Sequence, residues 1–159
     1  MPSWGSGRFV FRVESDHSRT RMIEGVGIRS EGDQWVPFEP RDRRERSHLQ
    51  GEVLPHLDWG NREPSAFISS SSDREWAFRD AKRRQRAGER NVRVLMIYAP
   101  RLGTFRSREG HWVTVMKLDT WLDVVKTDLP WYADFPCSEN EYLFLHQIPE
   151  DLIVKTWWL

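Results

Sequence analysis

The chain has 159 residues, room for one domain with a real core and too few for two comfortable ones. Lys+Arg and Asp+Glu number 24 each, so the net charge is +0, which argues against a protein whose main task is to track phosphate backbones. A single cysteine, Cys137, excludes an intrachain disulfide and favours a reducing compartment.

Residues 1–7 read as a flexible lead. They hold no basic region followed by an apolar run, so no signal peptide is expected, and residues 8–159 read as a single domain. Phe9-Val10-Phe11-Arg12-Val13 is a β-rich run with an arginine in its middle. Residues 16–48 are polar and broken by Gly25, Gly27 and Gly32. Within them Arg41 to Arg46 mixes signs and reads as a solvated loop or helix face. Leu49 to Leu57 suggests a short helix interrupted near Pro55, and Trp59 to Pro64 is turn-like. Ala66-Phe67-Ile68-Ser69 then reads as a strand. Ser72 or Asp73 can cap a helix from Arg74 to about Arg86, and Gly88 suits its C-terminal end. Arg79, Lys82, Arg83, Arg86 and Arg90 follow three-and-four spacing and form one basic stripe, read first as a solvated face.

Val92 to Tyr98 is the clearest buried strand. Pro100 to Gly110 reads as a basic loop, Trp112 to Val115 as a strand, and Leu118 to Val125 as a short amphipathic helix. Leu129 to Pro136 is an aromatic loop bounded by prolines. Leu143-Phe144-Leu145 and Ile153 to Trp158 are the last strands, separated by Ile148-Pro149. Many short strands with two or three helices indicate an α+β fold. No apolar stretch is long enough to span a membrane. Nine tryptophans can supply core volume where aliphatics are scarce.

The chemistry-bearing residues narrow the function. No Gly-x-Gly-x-x-Gly or Walker pattern occurs. The histidines at 17, 48, 56, 111 and 146 are scattered and form no His-x-x-x-His pair, so no metal site is expected. Glu139 and Glu141 are two apart at the start of a strand and so face the same side. Paired carboxylates suit chemistry that builds a sugar cation and delivers an acceptor to it. Taken alone, the same pair reads as solvated acids before a strand, and Ser69 to Ser72 as a polar turn capping a helix.

Three ordered segments together change that balance: Phe9-Val10-Phe11-Arg12-Val13-Glu14-Ser15, Phe67-Ile68-Ser69-Ser70-Ser71, and Glu139-Asn140-Glu141 continuing to Ile148-Pro149, Ile153 and Trp157. In order and context the chain resembles the ADP-ribosyltransferases of the cholera-toxin and heat-labile-enterotoxin type, with their Arg-Ser-Glu signature. Leu95 to Pro100 is similar to the strand that family places between its Ser and Glu motifs. Ser70 stands where the family usually has Thr, and the cysteines of secreted members are absent. The chain also resembles fungal proteins with an Arg-Val start, a Phe-Ile-Ser segment and a Glu-Tyr-Leu…Ile-Pro end. That implies a toxin-like effector that is cytoplasmic or delivered into a host cell.

The resemblance implies an ADP-ribosyltransferase-like split β-sheet core with a few short helices. It implies NAD as substrate rather than redox cofactor, and transfer of ADP-ribose by a glycosyltransferase-class enzyme, with NAD-glycohydrolase activity alongside. Glu141 would bond the ribose 2′-hydroxyl and stabilise its developing charge. Glu139 would position and deprotonate the acceptor, protein arginine being favoured over nucleic acid. Ser69 would orient Glu141 or the ribose, and Ser71 would brace the two central strands, the Ser69-Ser70-Ser71 strand lying against NAD. Arg12 would hold the NAD phosphate or adjacent ribose. Trp131, Tyr132 and Phe135 would recognise the acceptor, contact the nicotinamide or pack in the core. Trp76 and Phe105 are further stacking or core candidates. Two alternatives stand beside this reading: a catalytically inactive binding module for protein or nucleic acid, and an enzyme that modifies DNA or RNA bases.

Overall fold

The apolar run Phe9-Val10-Phe11, followed by Val13, buries Val10 on one face of Arg8–Glu14 and Phe11 and Val13 on the other, as a strand at the centre of a sheet requires. The computed structural model describes residues 8–57, 64–119 and 140–159 and makes this run, β1, a central strand. The other strands are β2 (Gly27–Arg29), β3 (Phe67–Ser71), β4 (Arg93–Ala99), β5 (Gly103–Arg106), β6 (Trp112–Lys117), β7 (Glu141–Leu145), β8 (Gln147–Pro149) and β9 (Ile153–Trp158). Two helices that lie wholly within the described residues, α1 (Arg43–Leu57) and α2 (Arg74–Arg86), accompany the strands in an α+β fold. Seven strands form one antiparallel sheet in the order β5-β6-β7-β3-β1-β4-β9, and β2 pairs with β8 in a second, small sheet.

One face of the large sheet buries Val10, Ile68, Leu95, Ile97, Tyr142 and Phe144 beneath Ile28 of β2 and Ile148 of β8. The other carries both helices. Ala77 and Ala81 of α2 lie on Phe11, Val13 and Val94, and the small alanines let the helix approach closely. Leu49 and Val53 of α1 lie on Phe67 and Leu143. The side chain of Asp73 accepts the Trp76 N–H at 2.9 Å and starts α2. Gly88, at φ +87°, follows its last turn in the left-handed conformation expected of it.

The structure departs from the sequence reading in several places. The expected basic loop, Pro100 to Gly110, contains β5, paired with β6 from Gly103↔Val115 to Arg106↔Trp112. Cross-strand pairing overrides its local polarity, and Phe105 supplies the one buried anchor. The helix expected at Leu49 begins at Arg43 and runs through Pro55. Asp42 caps it by accepting the Glu45 N–H at 2.8 Å, and Arg41 pairs with Glu45 at 2.9 Å. Pro55 lies in the final turn, where its missing N–H forfeits the bond to the Gly51 carbonyl and the helix ends two residues later. Ile148-Pro149, read as a separator, is part of β8. Its partner β2 lies in the span 16–48, which showed no clear element. β2 has only three residues, too few for a period-two pattern to be visible. Of the helix expected from Leu118 to Val125, only Leu118 and Asp119 are described, both helical. The 1–7 lead lies outside the described residues. Among those residues no helix is long and apolar enough to cross a membrane.

Candidate active site

β1 and β3 are neighbours that share one ladder pair, Phe11↔Ser71, and then part. Val13 would oppose Ser69 if the ladder continued. Instead the Ser69 carbonyl accepts from Arg12 Nη1 at 2.9 Å, so the guanidinium closes the gap that the backbones leave. Arg12 is held from three sides. Its Nε donates to Glu14 at 2.9 Å, and its Nη2 donates to the Thr20 carbonyl at 3.0 Å and the Thr20 hydroxyl at 2.8 Å. Among the described residues, four of its five N–H donors therefore have partners within the chain. Glu14 is fully buried and is balanced by Arg12, by Arg93 at 3.3 Å and by the Met22 N–H at 2.8 Å.

On β3 the three serines diverge as a strand dictates. The Ser70 side chain is buried on the face of Ile68 and donates to the Tyr142 carbonyl of β7 at 3.0 Å. Ser69 and Ser71 lie on the opposite face. The bracing bond expected of Ser71 is thus made by Ser70, while Ser71 accepts the Asp73 N–H at 3.1 Å and shapes the turn into α2. Glu141 opposes Ser71 in the β3–β7 ladder, and its carboxyl is hydrogen-bonded to the Ser69 hydroxyl. Burial raises the Glu141 carboxyl from its ordinary 4.5 to about 7, with the Ser69 bond a smaller opposing influence. Just before it, Asn140 is tied to Ser72 by a backbone bond of 2.8 Å and a side-chain bond of 3.2 Å, which fixes the entry to β7.

A residue that the sequence did not single out completes the set. His56, in the last turn of α1, lies with Nε2 2.7 Å from the Ser69 hydroxyl and Nδ1 2.7 Å from the Ser65 hydroxyl. Burial, and secondarily the Arg12 charge, lowers its pKa from 6.5 to about 4, so the ring is neutral. An ionised Glu141 only accepts, so Ser69 donates to it. The Ser69 oxygen is then free to accept from His56 Nε2–H, and Nδ1 accepts from Ser65. Ser65 in turn accepts the Phe67 N–H at 3.1 Å. With Glu141 ionised, the bonds therefore run in one direction, from Ser65 through His56 and Ser69 to Glu141. Sequence offered no handle on His56, because its partners lie 9 and 13 residues away in another element.

The structure therefore brings Arg12, Ser69 and Glu141 into one bonded cluster, with His56 added. Ser70 and Ser71 serve neighbouring strands and turns. Phe105 packs in the core beside Val113, and Trp76 packs against α2's own core cluster. Glu139, Trp131, Tyr132 and Phe135 lie outside the described residues.

The chain matches a family described as a domain of unknown function, DUF7587, over residues 6–159, and it belongs to that family. No curated protein sequence matches it. Among solved structures it is similar to EcPltA, a pertussis-like toxin ADP-ribosyltransferase subunit, with a TM-score of 0.56 and 19% identity over 96% of this chain and 76% of that one. At that identity the likeness shows the fold alone, an ADP-ribosyltransferase-like α+β fold.

Proposed function

We propose that this DUF7587 domain is a mono-ADP-ribosyltransferase that cleaves NAD at the nicotinamide–ribose bond and passes ADP-ribose to an acceptor, with water as a competing acceptor. The observation that carries this reading is the half-buried Glu141 carboxyl, held at about 7 and bonded to Ser69, whose carbonyl is in turn bound by Arg12. Loss of nicotinamide takes the bonding electron pair onto the nicotinamide nitrogen and leaves positive charge on the ribose. An ionised carboxylate whose burial is penalised without a ligand gains most when a cation forms beside it. Ser69, its orientation set by His56, would hold the Glu141 carboxylate in place. Arg12, with most of its donors occupied, would act chiefly by joining the two strands, leaving one Nη1–H for a ribose or phosphate oxygen. Glu139 would accept the proton of the incoming acceptor, with protein arginine favoured, and Trp131, Tyr132 and Phe135 would contact that acceptor.

The test is release of nicotinamide from NAD by the pure protein, beside Glu141→Ala, with NAD binding followed by calorimetry. Release that disappears in the variant supports the assignment. Absence of both release and binding overturns it. The second reading, a non-catalytic binding module, is favoured by the exposure of Lys82 and Arg86 on α2; Arg90, expected on the same helical stripe, lies beyond the helix end at Arg86 and is also exposed. It predicts salt-sensitive binding to a polyanion without NAD turnover.

A further inference from the structure

Away from that cluster, two connections meet at the edge of the sheet. Glu109 and His111 lie on the turn between β5 and β6, and Asp151 on the single 3-10 turn between β8 and β9. One ligating atom from each lies within 4.8 Å of the other two. The β5–β6 turn is a fixed platform: Ser107 N–H donates to the His111 carbonyl at 2.8 Å, Gly110 N–H to the Ser107 carbonyl at 2.9 Å, and His111 N–H to the Ser107 hydroxyl at 3.0 Å. Asp151 is tied to this platform through Oδ2, which accepts the Glu109 N–H at 2.9 Å.

The other oxygen of Asp151 lacks a partner. Oδ1 is shielded from solvent and is the one such side-chain polar atom without a hydrogen-bond partner among the described residues. A carboxylate oxygen removed from water with no donor is costly, and native structures seldom leave one so. Neither Glu109 nor Asp151 has an ion-pair partner among the described residues; Arg108 is exposed beside them and Arg106 is turned to the Gly110 carbonyl, to which its Nε donates at 3.2 Å. A bound cation would give the orphaned Asp151 oxygen its partner and pair with both carboxylates.

We propose that Glu109, His111 and Asp151 form a binding site for a divalent first-row transition-metal ion, for which Zn²⁺ is the probe. One imidazole and two carboxylates form a mixed nitrogen and oxygen set. The imidazole selects zinc-like ions over Mg²⁺ and Ca²⁺, which prefer oxygen alone. Bonds of about 2.0–2.2 Å place neighbouring ligands roughly 3–4 Å apart, so a set already within 4.8 Å needs only a small closure. Glu109 and His111 are exposed and free to make it, whereas Asp151 is anchored. The ion clasps the β5–β6 hairpin, which ends the sheet at β5, to the connection leading into β9.

The experiment uses untagged, chelator-stripped protein, titrated calorimetrically with Zn²⁺ and then with Mg²⁺ and Ca²⁺, with thermal melts in parallel. The expected result is one equivalent of Zn²⁺ bound at least about tenfold more tightly than either oxygen-preferring ion. At saturating Zn²⁺ the melting temperature should rise by roughly 5–10 °C. His111→Ala and Asp151→Asn should abolish both effects. Glu109→Gln, at an exposed residue that folds normally, should weaken binding by about tenfold and leave the metal-free melting temperature unchanged. Absence of Zn²⁺ binding to wild type overturns the site. So does binding that His111→Ala and Glu109→Gln leave intact, and so does a preference for Ca²⁺ or Mg²⁺.

Discussion

Replacing Glu141 with Gln measures the burial of that carboxyl without any ligand. Its pKa is about 7 in the folded protein against an ordinary value of 4.5. The folded value lies above the unfolded one, so the associated stability is fully present below about pH 4.5 and is lost as pH rises through about 7. A shift of this size corresponds to about 3 kcal/mol of penalty once the group is ionised, and the partial exposure of Glu141 trims it to about 2 kcal/mol. Gln has nearly the same shape, carries no charge and still accepts from Ser69, so it avoids the penalty. For a chain of this size, about 2 kcal/mol corresponds to a melting temperature higher by roughly 4–8 °C. Scanning calorimetry of wild type and Glu141→Gln should therefore show this gain at about pH 8.5 and almost none at about pH 4.5. A variant no more stable than wild type at the alkaline end, or a difference that does not change with pH, would refute the argument. Such a gain from removing a functional group is the expected trade between activity and stability.

Other outcomes follow from the same geometry. If Glu141 must be ionised to stabilise the ribose cation, NAD cleavage should rise with an apparent pKa near 7, measured as the pH profile of nicotinamide release. Arg12→Ala removes a partner of the fully buried Glu14 and should cost about 3–5 kcal/mol in urea unfolding, far more than an exposed arginine such as Arg79. His56→Phe keeps the edge contact with Phe67 at 5.8 Å but deprives Ser65 and Ser69 of a partner. It should lower stability by about 1–2 kcal/mol and reduce kcat for NAD more than it raises KM. At Gly27, φ is +104° and an added Cβ would lie 2.2 Å from the Ile148 carbonyl. Gly27→Ala should accordingly disrupt the β2–β8 pair, with loss of amide-exchange protection at Ile28 and Ile148 as the readout.

The amino-acid sequence alone carried the α+β class, the strands around Arg12, Ser69 and Leu95, and the second helix with its cap at Ser72 or Asp73 and its end at Gly88; the structure chose Asp73. Those features depend on local signals: period-two burial, side-chain capping and glycine's tolerance of positive φ. Tertiary structure decided the rest. β2 and β8 exist because two three-residue segments find each other across the fold, and β5 because β6 pairs with it. The parting of β1 from β3, which calls the Arg12 guanidinium to the Ser69 carbonyl, is a property of sheet geometry that no local pattern encodes. The same holds for His56 and Asp151. Both look unexceptional in sequence, and both acquire their character from burial and from partners brought to them by distant segments, because desolvation and hydrogen bonding depend on what surrounds a group in space.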